Sequence, residues 1–153
     1  MLFGSVASDP VSNGFVFVGE NGCVSIEVDD YERLGSVDYH DANWLAASIS
    51  VTAGSFSGTF AASIGTYELV ELHRQLRQCL ENLCGCVSFQ NLESDFVLKV
   101  EFLDRGKARI SGEASPHTHL SSKLTFSLDS DQSYLAKTLE QLDGVVRRFP
   151  IKK

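Results

Sequence analysis

Apolar and polar residues alternate along five stretches of the chain, and a helical pattern closes each half. Side chains of a strand point to opposite sides with a period of two, so each stretch has one dry and one wet face. This patterning is typical of an antiparallel sheet that is covered on one side. The dry faces comprise Leu45, Ala47, Ile49 and Val51; Phe56, Phe60, Ala62 and Ile64; Phe96, Leu98, Val100 and Phe102; Ala108, Ile110 and Ala114; and Leu124, Phe126 and Leu128.

Two amphipathic helices are predicted by apolar residues that recur three or four positions apart. The first begins at a cap residue, Thr66, and stops at Gly85. The second is capped by Ser130 or Asp131 and ends before Pro150. Their apolar faces are Leu69, Leu72, Leu76, Leu80 and Leu83, and then Leu135, Leu139, Leu142, Val146 and Phe149.

Three further short strands complete the predicted order. Phe15–Gly19 and Cys23–Val28 form a hairpin around Asn21-Gly22, because both turn residues tolerate positive φ. Cys86–Gln90 opens the second half, and the acidic residues 29–43 form a long loop. We therefore predict an α+β fold of order ββββα-ββββα, with one antiparallel sheet or two and both helices on the apolar side.

The length of 153 residues suits a single domain spanning 1–153. Two related halves, about 15–84 and 85–150, are suggested by matches at an offset of 66, such as Leu69 with Leu135. An ancient duplication explains these matches. So does the simpler fact that any strand followed by a helix produces them.

Charge restricts the classes of partner. The chain has 13 basic and 20 acidic residues and a net charge of −7. A nucleic-acid binder needs a basic surface, so we predict no nucleic-acid partner. An acidic protein attracts basic proteins instead, and a nuclease is one example. With neither a secretion signal nor a membrane-spanning run in the sequence, we predict a cytoplasmic protein without a membrane partner.

Cysteine and histidine spacing gives no metal motif. We interpret Cys23, Cys79, Cys84 and Cys86 as reduced, buried thiols rather than as zinc ligands or a disulfide framework. His117-x-His119 lies in a loop with no acid or thiol beside it, which favours a solvated turn. We therefore predict no metal, no disulfide and no cofactor.

One constellation resembles catalytic chemistry. His40 next to Asp41 can form an oriented general base, but the sequence pairs no obvious nucleophile with it. Glycine-rich nucleotide loops are missing as well. An enzyme or small-ligand binder using His40 and Asp41 is therefore the second hypothesis, behind a protein-binding function.

Two surfaces are candidate partner sites. The acidic segment 29–41 can steer a basic protein, or it can simply keep a loop solvated. The wet face of hairpin 44–64 carries seven hydroxyl residues and no charge, which suits either protein contact or solvent. The predicted partner-binding residues are Asp29, Asp30, Asp38, Asp41, Trp44, Ser48, Ser50, Thr52, Ser55 and Ser57.

Several motifs, in order, resemble the WapI family of bacterial immunity proteins from about residue 15 to Pro150. They are Asn43-Trp44-Leu45, Gly54-x-Phe56-x-Gly58, the helix with Leu76, Leu80 and Leu83, and Asp131-Gln132-Ser133-Tyr134-Leu135. The resemblance implies a small cytoplasmic protein that binds and neutralises the C-terminal domain of a polymorphic toxin. It implies no catalytic residues.

Overall fold

The computed structural model describes residues 13–32, 38–116 and 122–152. Strands β1 to β8 span Gly14–Gly19, Gly22–Tyr31, Trp44–Ala53, Phe56–Gly65, Gly85–Gln90, Phe96–Phe102, Lys107–Ala114 and Leu124–Asp131. Helices α1 to α3 span Tyr39–Ala42, Thr66–Asn82 and Gln132–Arg148. The α+β class and the order ββββα-ββββα are confirmed, with the four-residue α1 added between β2 and β3.

Two four-stranded antiparallel sheets form the frame. Their strand orders are β1-β2-β3-β4 and β5-β6-β7-β8, so every strand pairs with its neighbour in sequence. The apolar face of each sheet and the apolar faces of α2 and α3 contribute to one buried cluster. Within it, the ring of Phe96 lies near those of Phe60, Phe89 and Phe126.

The two long helices lie against edge strands of the sheets. Helix α3 lies along β1, where Gln141 accepts the Val16 N–H at 2.9 Å and the Thr138 hydroxyl donates to the Val16 carbonyl at 2.7 Å. Helix α2 lies along β5, where Gln75 accepts the Ser88 N–H at 2.9 Å. An unpaired strand edge can pair with another chain, and helix side chains form hydrogen bonds with the edges of β1 and β5 here. No helix in the described ranges is long and apolar enough to cross a bilayer.

The two halves share an element order, and α2 and α3 both begin and end 66 positions apart. Strands β4 and β8 also end 66 positions apart, at Gly65 and Asp131. The offset seen in the sequence is therefore an offset between equivalent elements. Duplication as its origin stays a prediction.

The predicted loop over 29–43 is wrong at both ends. Strand β2 continues to Tyr31, and Tyr39–Ala42 forms a helical turn. A bulge between Val28 and Asp30 shifts the pairing of β2 with β3, so the alternation changes phase. The phase change brings the Tyr31 ring to 5.7 Å from that of Phe149. Residues 33–37 lie outside the described ranges.

Four expectations about single residues are also wrong. Phe56 is 70% exposed, because the end of β4 reaches beyond the core. The N-cap of α2 is Gly65, whereas Thr66 is the first helical residue and is buried. The helix stops at Asn82, before Gly85, because Leu83 takes the left-handed conformation at φ 53°, and Leu83 is exposed.

Burial of the cysteines was predicted correctly for one of four. Cys79 is buried and Cys23 is half-buried, whereas Cys84 and Cys86 are exposed. Burial raises the pKa of the Cys79 thiol, as it does for Cys23. Exposure of Cys84 and Cys86 follows from their places at the end of α2 and on the outer face of edge strand β5.

Asp131, one of the two predicted caps, is the N-cap of α3. Its carboxylate accepts the backbone N–H groups of Ser133 at 2.9 Å and Tyr134 at 3.1 Å. Asp131→Ala should lower the free energy of unfolding by about 1 kcal/mol at neutral pH, measured by urea denaturation. Gln132→Ala, at the exposed neighbouring position, is the control and should have a much smaller effect.

The same cap predicts a pH dependence. The Ser133 hydroxyl, and then the Tyr134 N–H, hold the pKa of Asp131 below its usual range. The stabilisation is therefore present above the unfolded pKa of about 3.9 and is lost as the pH falls through the lower folded pKa. The difference between wild type and Asp131→Ala should shrink in acid. An undiminished difference well below the folded pKa would contradict this assignment.

Candidate functional site

A buried asparagine organises the residues around the candidate site. The Asn43 side-chain oxygen accepts the Thr66 hydroxyl and the Lys152 N–H, both at 2.7 Å, and its amide donates to the Lys152 carbonyl at 3.0 Å. Its backbone carbonyl accepts the Thr66 N–H at 2.9 Å. Asn43 therefore ties the start of β3, the start of α2 and the C-terminal segment together, and this fixes Trp44.

Next to Trp44 lies a cleft with three acidic residues on its walls. We call it the acidic cleft, and its lining is Glu32, Asp41, Trp44, Ser63, Leu92 and Glu93. Leu92 is 66% exposed, so an apolar side chain stands beside the carboxylates. Glu32 also accepts a hydrogen bond from the Ser63 hydroxyl. The cleft thus combines apolar contact area with negative charge.

The far wall of the acidic cleft is the turn between β5 and β6. Asn91 is buried and accepts the Phe96 N–H at 3.1 Å, while its amide donates to the Ser63 carbonyl at 3.4 Å. Ser94 has φ 61° and donates its N–H to the Asn91 carbonyl at 2.9 Å. These bonds hold the turn against β4, with Leu92 and Glu93 at its tip.

Glu68 forms hydrogen bonds with residues on both sides of the acidic cleft. Its carboxylate accepts the Gly65 N–H at 2.8 Å and also a backbone hydrogen bond from Leu92. Burial raises the pKa of Glu68, and these two hydrogen bonds oppose that rise. The position of Leu92 is therefore linked to the first turn of α2.

Trp44 is held by an aromatic neighbour. Its ring lies edge-on to that of Tyr67, with centroids 6.2 Å apart. Gly65 allows this arrangement, since a Cβ there would lie 2.7 Å from the Tyr67 ring. A half-exposed tryptophan with a fixed orientation offers a large contact area at little entropic cost.

The structure separates the four predicted aspartates. Asp41 lines the acidic cleft. Asp29 is at the β2 bulge, and Asp30 is exposed and pairs with Ala46 on β3. Asp38 precedes α1, and its side chain accepts the Asp41 N–H at 3.2 Å while its carbonyl accepts the Ala42 N–H. One of the four therefore belongs to the cleft.

The predicted hydroxyl residues occupy the outer face of the first sheet, except Ser55. Ser48, Ser50 and Thr52 lie on β3, and Thr52 pairs with Ser57 on β4. The Ser50 and Thr59 hydroxyls are 2.9 Å apart and bond to each other. Ser55 lies in the β3–β4 turn, so the prediction that it belongs to this face is wrong.

The sequence placed Glu32 in the acidic segment 29–41 but did not single it out as a partner-binding residue. Ser63, Leu92 and Glu93 were also absent from the predicted partner-binding residues. The charge distribution along the chain contains part of the missing information. Residues 1–73 carry 10 acidic side chains and one basic, Arg33, whereas residues 74–153 carry 10 acidic and 12 basic. The first sheet therefore belongs to a strongly acidic half. The outer face of the second sheet mixes charges, as in the pairs Arg109–Asp129 and Lys123–Glu113.

Metal and acid–base chemistry gains no support from the part of the chain that the structure describes. Within it, no three His, Cys, Asp or Glu side chains are placed to hold a metal ion. The predicted turn at His117 and His119 lies outside the described residues, as does the side chain of His40. Asp41, the other half of the predicted pair, faces an open cleft with Trp44 and Leu92.

Comparison with known proteins identifies the family. The model of the Immunity protein WapI-like family matches residues 16–150, and the chain belongs to that family. No curated protein matches the sequence significantly. One similar solved chain comes from the CdiA-CT/CdiI toxin and immunity complex from Enterobacter cloacae. It is 10% identical, with a TM-score of 0.42, and the match covers 65% of this chain and 88% of that one.

Proposed function

We propose that this protein binds and neutralises a bacterial toxin domain, and that the acidic cleft is the centre of the interface. Membership of an immunity protein family supports the first part. The single observation that supports the second is the cleft itself, in which Trp44 and Leu92 stand among Glu32, Asp41 and Glu93. Aromatic anchors with complementary charge around them are typical of binding hot spots.

The partner surface that fits the cleft is basic. A toxin that acts on nucleic acid must carry Lys and Arg side chains for phosphate, and those side chains would face the acidic half of this protein. Covering them would also occlude the toxin's substrate site. Inhibition by binding requires no catalytic group in the immunity protein, so we propose a non-enzymatic action in the bacterial cytoplasm.

Charge in the cleft should control the speed of association. The triple variant Glu32→Gln, Asp41→Asn, Glu93→Gln should bind the cognate toxin domain roughly tenfold more slowly at low salt. The difference should diminish towards physiological salt, where the Debye length is about 8 Å. Stopped-flow measurements at several salt concentrations give the rates.

A matched triple variant separates local charge from net charge. Glu81→Gln, Asp104→Asn and Glu140→Gln remove the same charge from exposed positions in the second half of the chain. They should leave the association rate within about twofold of wild type, because steering depends on where the charges lie. Equal slowing by both variants would remove the acidic cleft from the interface.

A further inference from the structure

Among the described residues, the edge of β4 has an open segment, whereas the edges of β1, β5 and β8 have hydrogen-bond partners. The edge of β1 forms hydrogen bonds with α3, and the edge of β5 forms one with α2. On the edge of β8, the Asp129 carbonyl accepts the Glu20 N–H at 2.8 Å. Along Phe56–Ala61 of β4, no outward backbone bond is formed among the described residues.

Known contacts fix which backbone groups of β4 point outward. The Ser63 carbonyl is bonded by Asn91 and the Gly65 N–H by Glu68, so these odd-numbered residues face away from β3. The Thr66 N–H instead bonds to Asn43, just before β3. Because antiparallel pairs alternate, Ser57, Thr59 and Ala61 also direct their N–H and C=O groups outward.

In the part of the chain that the structure describes, this open segment lacks the usual protection of a strand edge. Edges are commonly blocked by Lys, Pro, a bulge or a covering element. Phe56–Ala61 contains neither Lys nor Pro, pairs with β3 in continuous register, and is exposed at every position except the half-buried Phe60. Phe56, Phe60 and Leu124 line a second cleft along its inner side.

We propose that an extended segment of the toxin pairs with β4 at Ser57, Thr59 and Ala61 and so adds a fifth strand to the first sheet. This inference rests on the proposed immunity function and specifies its mode of recognition. Main-chain hydrogen bonds would supply affinity, and alternate side chains would supply specificity. One set of side chains would contact the cleft beside Phe60 and Leu124, and the other set would lie beside Thr59.

Charge selects a toxin segment over a second copy of this chain. The open edge leads at Ser63 into the acidic cleft, where Glu32, Asp41 and Glu93 can receive a basic residue that follows the added strand. A second copy would bring the same carboxylates and another net charge of −7. A toxin strand with a Lys or Arg at that end can pair with the open edge of β4 and also place its positive charge in the acidic cleft.

Amide exchange in the wild-type protein tests the pairing directly. By NMR, the Ser57, Thr59 and Ala61 amides should exchange rapidly in the free protein and at least about tenfold more slowly in the complex with the toxin domain. The Gly58 and Phe60 amides face β3 and should be slow in both states. If the complex forms but the three amides remain fast, the inference is wrong and the immunity function stands. If no complex forms, the proposed function fails.

A proline variant provides a second test. Thr59→Pro removes one outward N–H, and proline is tolerated on edge strands where that group faces solvent. It should weaken toxin binding by at least about tenfold. Thr59→Val replaces the hydroxyl with a methyl group but keeps the backbone N–H, and it should bind like wild type. Equal binding by the two folded variants would overturn the proposal. So would concentration-dependent protection of the same amides in the free protein, which would identify a second copy as the occupant.

Discussion

Trp44→Ala should weaken binding of the cognate toxin domain by at least about 30-fold, the effect of losing a tryptophan hot spot. Trp44 lies on the wall of the acidic cleft, and its ring is oriented by Tyr67. Isothermal titration calorimetry on the purified pair measures the loss. The effect should appear mainly as faster dissociation, because apolar contacts at an interface centre act after encounter.

The controls for this variant separate binding from folding. Trp44→Phe keeps an aromatic ring and should recover most of the affinity. Ser48→Ala, on the same outer face of β3, should change little. Circular dichroism must show the same fold for all three variants. Full affinity in a folded Trp44→Ala variant would exclude Trp44 as an anchor and favour the hydroxyl face of the first sheet as the interface.

Among the variants proposed here, Asn43→Ala should lower the free energy of unfolding the most, by about 2–4 kcal/mol, measured by chemical denaturation. The substitution removes three side-chain hydrogen bonds from a fully buried position and leaves the Thr66 hydroxyl without its acceptor. Unsatisfied polar groups in a core carry their full desolvation penalty. Ser50→Ala is the control: it removes one hydrogen bond between two surface hydroxyls. It should lower the free energy of unfolding by well under 1 kcal/mol.

An Asn43→Asp variant refines the interpretation of the Asn-Trp motif. The carboxylate can still accept from Thr66 and Lys152, but it cannot donate to the Lys152 carbonyl. Burial beside a carbonyl should raise the pKa of this new aspartate above its unfolded value. The protonated form is then the stable one, so stability should fall as the pH rises through the folded pKa. A stability loss in Asn43→Asp that does not depend on pH would contradict this role for the side-chain amide.

Most of the fold was predictable because each strand buries one face. Leu45, Ala47, Ile49 and Val51 alternate without interruption, and all four are buried. The prediction failed where one local feature changed the phase. A single extra residue at the β2 bulge placed Asp30 and Tyr31 in a strand that their composition did not indicate.

Helix ends were predictable where a side chain makes the cap. Asp131 accepts two N–H groups of α3, which is the interaction that favours Asp at this position. At α2 the cap is Gly65, and the pattern indicated Thr66 because its hydroxyl can cap a helix. That hydroxyl bonds to Asn43 instead, a tertiary contact over 23 positions that no local pattern encodes.

The acidic cleft could not be assembled from the sequence. Its carboxylates come from positions 32, 41 and 93, and the two sheets must pack before the Leu92–Glu93 turn reaches Trp44. The resemblance to the WapI family carried the functional prediction. The family match confirms the family, and toxin binding stays a proposal. Partner binding stays a prediction for every residue proposed from the sequence, for Asp41 and Trp44 in the cleft as for the hydroxyl face and the other aspartates.

Growth protection tests the central claim most directly, because it requires no knowledge of the toxin's chemistry. The cognate toxin domain is expressed in a bacterial host, with or without this protein. We expect growth arrest from the toxin alone, restored growth with the wild-type protein, and poor protection by the folded Trp44→Ala variant. Continued arrest in cells that accumulate the folded wild-type protein would contradict the claim that it neutralises that toxin.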